Sequence, residues 1–140
     1  MKIICCLYLL PGVFWDIKTR YLPAIYIWFG FFLMAILGVY QIIVKDRFFV
    51  DLLISVLPGS LAFLLAKTSK NMGKGDAWLI LILGLAQSFY DLINLLLIAL
   101  FLSAIGSIVI VIYKRQMKNL KIPFVPFLFL GAVIVLLGDI

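Results

Sequence analysis

Apolar residues run along this chain in long stretches separated by short polar breaks. The stretches are Ile3–Trp15, Tyr21–Val44, Phe48–Ala66 (interrupted by Asp51), Ala77–Tyr90, Leu92–Tyr113 and Ile122–Gly138. Six such runs leave no room for a soluble domain. The pattern predicts an all-α, polytopic membrane protein with six transmembrane helices. No Ser/Gly-rich linker, low-complexity tract or clear internal repeat divides it, so residues 1–140 read as a single compact domain. Lys2 ahead of the first run resembles the start of a secretory signal. No small-x-small cleavage site follows, however, and the run ends in Trp15-Asp16, so it is read as a span.

Composition sharpens this class. Apolar residues make up 66% of the 140 residues and charged ones 13%, far from the balance of a soluble domain. The acids are six Asp and no Glu, His is absent, and twelve Lys and Arg give a net charge of +6. Cys5 and Cys6 are adjacent and no other Cys exists, which excludes a zinc knuckle and a disulfide framework and leaves both as packing residues. No metal site and no cofactor are expected.

Positive charge sets the topology. If the breaks after spans one, three and five face the cytoplasm, that side holds Lys18, Arg20, Lys67, Lys70, Lys74, Lys114, Arg115, Lys118 and Lys121, nine cations. The other side holds Lys2, Lys45 and Arg47. By the positive-inside rule both termini lie outside, and Asp16 and Asp76 share the cytoplasmic face.

Length then singles out these two acids. A span needs about 20 residues, whereas the run before Asp16 is 13 long and the run after Asp76 is 14. To complete the crossing, span one must continue through Asp16 and span four must begin before Asp76. Both carboxyls are thereby drawn to the cytoplasmic interface or just below it. An acid costs about 2.5–3.5 kcal/mol at the bilayer centre and less near its edge, and it normally faces a protein interior or a watery cavity. Two on one face point to one site. Asp46, Asp51, Asp91 and Asp139 fall on the opposite face and read as charges marking helix ends.

Three segments now carry a family resemblance: "DIKTRYLP" from Asp16 to Pro23, "GKGD" from Gly73 to Asp76, and "KIPFVPFLFLG" from Lys121 to Gly131. In order and spacing they resemble the signatures of the type IV prepilin peptidases, the G-x-G-D membrane aspartyl proteases. The resemblance implies catalytic aspartates at Asp16 and Asp76, acting at the cytoplasmic face of the plasma membrane on the basic leader of prepilin-like membrane proteins. The cut is expected after a Gly, because backbone approaching two carboxyls closely leaves little space for a side chain. The partners implied are that substrate and the bilayer, with no nucleic acid. The sequence departs from the family at Ala77 and Trp78, where a small apolar residue and then a Lys commonly follow the acid, and at Val125, where a Gly is frequent. The paired C-x-x-C motifs that accompany N-methyltransferase activity are absent, so the resemblance is to the short, peptidase-only members such as the archaeal preflagellin peptidases.

The residue types agree with that chemistry. Without His or Glu, a nucleophilic triad or a His-based zinc hydrolase is excluded, and paired Asp carboxyls are the remaining route to peptide hydrolysis. Two carboxyls in one site titrate as a unit, one giving a proton to the scissile carbonyl and the other taking one from water. The sequence breaks no symmetry between them, so neither is assigned acid or base.

Gly73 and Gly75 either end a loop or let backbone approach the site closely. Lys74 between them either tunes the carboxylate or follows the positive-inside rule. Pro23, Pro123 and Pro126 shape helix entry, and the last two sit in a segment that reads as a helix start or as the edge of a cleft. Ala99, Ser103 and Ser107 offer a small-residue face for helix packing. The competing reading is a small transporter or channel subunit whose Asp16 and Asp76 bind a cation or proton. Transport more naturally places an acid near the midplane, and no span has one.

Overall fold

The computed structural model describes residues 2–19, 21–44, 49–68, 73–114 and 123–138, and all regular structure among them is helical. Six helices follow in order: α1 (Lys2–Thr19), α2 (Ala24–Val44), α3 (Phe49–Thr68), α4 (Lys74–Ala86), α5 (Phe89–Lys114) and α6 (Val125–Gly138). Asp46 and Asp139 lie outside the described residues. Helix α1 continues through Asp16 and α4 begins ahead of Asp76, yet α4, at 13 residues, stays short of the about 20 that the length argument asks for. Helix bounds differ from the apolar runs by a few residues at several ends, the boundary between the fourth and fifth among them. Phe89 and Tyr90, which extend the fourth apolar run, belong to α5 instead.

The reason is a cap that hydropathy cannot register. Ser88 Oγ donates to Asp91 Oδ2 at 2.8 Å and accepts from the Asp91 amide at 3.3 Å, so α5 starts directly after Ser88. Asp91 also pairs with Lys2 Nζ at 3.0 Å, which fastens the start of α1 to the start of α5. The last carbonyls of α4 are taken up nearby: Leu83 O by the Gln87 amide at 3.0 Å, and Ala86 O by the buried Gln41 side chain of α2 at 2.9 Å.

Helix α4 is the hub, lying against α3 and α2 and touching α5, while α6 lies between α1 and α5. Its Ala77, Leu79, Ile80, Ile82, Leu83 and Ala86 are buried. Close approach to α3 depends on glycines: a Cβ at Gly84 would meet the Ser55 carbonyl, and one at Gly59 would meet the backbone of Leu81. Ala99 of α5 packs in the same way against Gly131 of α6, whereas Ser103 and Ser107 turn their hydroxyls back to carbonyls of their own helix. Cys5 and Cys6 are both buried, as packing residues are. Long outward faces, such as Ile25, Trp28, Phe32 and Ile36 of α2, carry large apolar side chains into the surroundings.

Helices α2, α3 and α5 are each long and apolar enough to cross a membrane. Helix α6 is a shorter apolar helix of 14 residues, α4 has 13, and α1 has 18 with Lys2, Asp16 and Lys18 among them. The fold is thus an all-α bundle of polytopic membrane type.

Candidate active site

Asp16 sits in the last turn of α1, where each preceding turn has turned Cys5, Leu9 and Gly12 towards the protein interior. It is 7% exposed, an unusual state for a carboxylate. What holds it there is backbone. Asp16 Oδ2 accepts the amide N–H of Val125, the first residue of α6, at 3.0 Å. The next residue of α6 is Pro126, which has no N–H, and the amides of Phe127 and Leu128 go to Phe124 O at 3.0 and 3.1 Å. The Val125 amide is therefore the donor that α6 presents at its positive end, and Asp16 caps it from another helix. A hydrogen bond to a charged group contributes about 1.5–3 kcal/mol, enough to offset a good part of the burial.

Asp76 approaches from α4. It lies in the first turn of that helix and interacts electrostatically with Asp16. Gly73 is the N-cap, with extended torsions (φ −67°, ψ 126°), and Ala77 N–H returns to its carbonyl at 3.5 Å. A Cβ on Gly73 would stand 2.9 Å from Asp76 Oδ2, so the missing side chain is the space in which the carboxyl lies. Gly75 lies within the helix rather than in a loop, and its bare Cα faces Leu22 of the α1–α2 connection, where a Cβ would come within 3.2 Å. The "GKGD" segment thus works by close approach on two sides. Lys74 between the glycines is exposed.

The prolines take distinct places. Pro23 precedes α2, and its carbonyl accepts the amides of Tyr26 and Ile27 at 3.0 and 3.3 Å. Pro123 precedes α6 and Pro126 is in its first turn, so "IPFVPF" is a helix start. The same start supplies the donor to Asp16, which joins the two readings of that segment. Around Asp16, Trp15 leans on Tyr26 with ring centroids 5.7 Å apart, and Tyr26 stacks on Tyr8 at 4.7 Å while each hydroxyl donates to the other residue's carbonyl. On α4, Trp78 meets Phe63 of α3 edge to face at 5.4 Å.

Asp16 and Asp76 thus come from helices distant in sequence, the last turn of α1 and the first turn of α4. A family model described as type IV leader peptidase family matches residues 3–110, more than half of the chain. The chain belongs to the type IV leader peptidase family. Both aspartates lie within the matched residues, while the segment from Lys121 to Gly131 lies beyond them. No curated protein and no solved structure matches the chain.

Sequence reasoning named Val125 as a departure from the family pattern and missed its amide. A backbone N–H leaves no trace in residue type. Leu22, the surface against which Gly75 packs, was likewise invisible.

Proposed function

We propose that this leader peptidase is an intramembrane aspartic endopeptidase that removes the basic leader of prepilin-like proteins at the cytoplasmic face of the plasma membrane, cutting after a Gly. The observation that carries this reading is the pairing of a buried Asp16 with Asp76 at one end of the bundle. The described acids Asp51 and Asp91 lie at the opposite helix ends, in the first turns of α3 and α5, apart from this pair.

Depth supports the same reading. Helix α4 spans about 20 Å at 1.5 Å per residue, against about 30 Å of hydrocarbon. Its far end is tied to the start of α5, where the Lys2–Asp91 ion pair belongs in the outer interface. Asp76, in the first turn at the other end of this short helix, then lies below the cytoplasmic surface rather than among the headgroups. A prepilin-like substrate keeps its basic leader in the cytoplasm and begins its apolar helix just beyond the cut, so its scissile bond lies at that depth. The cationic breaks on this face, Lys18, Lys67 and Lys74 among them, would hold the chain against anionic headgroups beside the site.

The test is co-expression with a leader-bearing pilin-like protein in a host lacking its own prepilin peptidase. Wild type should shorten the substrate by its leader. Asp16→Asn and Asp76→Asn should each accumulate in the membrane and lose cleavage by at least about a thousandfold, because members of a unit fail together. Asp51→Asn and Asp91→Asn should retain most activity. Near wild-type cleavage by either dyad variant would refute the aspartyl mechanism.

A further inference from the structure

The aspartate pair is built asymmetrically. Asp16 is buried, and one of its oxygens is fixed by the amide at the positive end of α6. Asp76 is only partly buried, and the space around its carboxyl is left by Gly73 rather than filled by a donor from that residue. A hydrogen bond to an ionised carboxylate favours the ionised form, and so does a helix N-terminus. When two neighbouring carboxyls share one proton, the proton rests on the one with the weaker support for charge.

We propose that the Val125 amide breaks the symmetry of the pair, holding Asp16 as the carboxylate that acts as general base and leaving the proton on Asp76, which acts as general acid. The assignment rests on the peptidase reading above. In the first step Asp16 takes a proton from water, the water oxygen bonds to the scissile carbonyl carbon, and Asp76 gives its proton to the carbonyl oxygen. The product is a neutral gem-diol. In the second step the proton on Asp16 passes to the amide nitrogen, the C–N bond breaks, and Asp76 recovers a proton from one diol hydroxyl as the carboxylic acid forms. The new amine departs, Asp16 is again ionised and Asp76 again protonated. Val125 touches neither substrate nor water in this scheme; its amide is a positioning group.

The charged and titratable groups on the surrounding elements leave this contrast in place. Towards this end of the bundle the described ones include Asp76 and Lys74 on α4, Lys18 on α1, Tyr21 in the α1–α2 connection, Tyr26 on α2 and Lys67 on α3, while Lys2, Cys5, Cys6 and Tyr8 lie further along α1. The ammonium of Lys18 lies over the Phe14 ring, 5.7 Å from its centroid. Lys67 and Lys74 are exposed, and the Tyr26 hydroxyl is engaged with the Tyr8 carbonyl. Asp76 is the group that interacts with Asp16, and each loses the other's influence when either is replaced by Asn.

This permits a test independent of cleavage. Carboxyl-labelled Asp in the detergent-solubilised protein gives each aspartate a 13C NMR titration, with the site resonance identified by its loss in the Asp16→Asn, Asp76→Asn double variant. Asp16, alone in Asp76→Asn, should lose its proton at a lower pH than Asp76 alone in Asp16→Asn. Val125→Pro removes the amide at a position where proline suits a helix start. Added to Asp76→Asn it should raise the Asp16 midpoint by about one pH unit; added to Asp16→Asn it should leave the Asp76 midpoint in place. Val125→Ala, which keeps the amide, should leave the Asp16 midpoint unchanged. In the catalytically intact background, Val125→Pro should also move the acidic limb of the pH–rate profile upward more than the alkaline limb. An Asp76 midpoint at or below that of Asp16, or a Val125→Pro variant that moves neither, overturns the assignment. Absence of leader cleavage by the wild-type protein, with the titration contrast intact, would instead count against the peptidase reading.

Discussion

At the scale of single residues, the site depends on atoms that are absent as much as on those present. Gly73 is the sharpest instance, because a side chain there would begin 2.9 Å from Asp76 Oδ2. Gly73→Val should therefore displace the carboxyl and lower cleavage at least tenfold, while the protein still accumulates, since Gly73 is exposed and packs no core. Unchanged turnover in that variant, measured on the co-expressed substrate, would show that the carboxyl does not need this space. The two acids themselves were legible from sequence. Runs of 13 and 14 residues, short of a span, drew attention to Asp16 and Asp76, which the structure has in the last turn of α1 and the first turn of α4. The Val125 amide was not legible, because any residue but proline carries one. Nor was the packing of Gly75 on Leu22, which depends on how two connections meet in space.

Elements follow the same division. All six helix starts lie within three residues of where hydropathy put them, and α5 begins three residues early, since Ser88 and Asp91 cap one another at an exposed turn. A cap outweighs hydropathy here because it satisfies amides that lipid cannot. The short α4 is stabilised from its flanks, and its contact with α3 leaves no room for added atoms at Gly59 or Gly84. Gly59→Ala should reduce stability by about 1–3 kcal/mol, read as a lower midpoint in detergent unfolding, since the new methyl meets the Leu81 backbone rather than a movable side chain. Alternation of the helices also gives a labelling prediction. In a background with Cys5 and Cys6 replaced, single cysteines at Thr19 and Thr68 should react with an impermeant reagent from the cytoplasmic side, and one at Ser88 from the other. All three positions are exposed, at helix ends that the bundle places apart. Reaction of Thr68→Cys from the same side as Ser88→Cys would overturn the shared-face arrangement.

At the scale of the molecule, the resources of the chain are spent on one site at one end. The helices take nearly all the described residues. A methyl donor of nucleotide type needs a phosphate- or ring-binding cradle, such as a Gly-rich loop between a strand and a helix, and the described residues contain no strand. The C-x-x-C pairs that accompany methyl transfer in the bifunctional relatives have no counterpart among Cys5 and Cys6, which are adjacent and buried in α1. Hydrolysis asks for much less: two carboxyls, a water and a way for an extended segment to reach them. These 140 residues, expressed alone beside a pilin-like substrate, should therefore cut the leader and leave a free, unmethylated amine at the new N-terminus. Intact-mass and N-terminal peptide spectrometry of the processed substrate decides the point. A product heavier by one methyl group, in a host with no other prepilin-modifying enzyme, would mean that a donor site is assembled from helix ends and short connections after all.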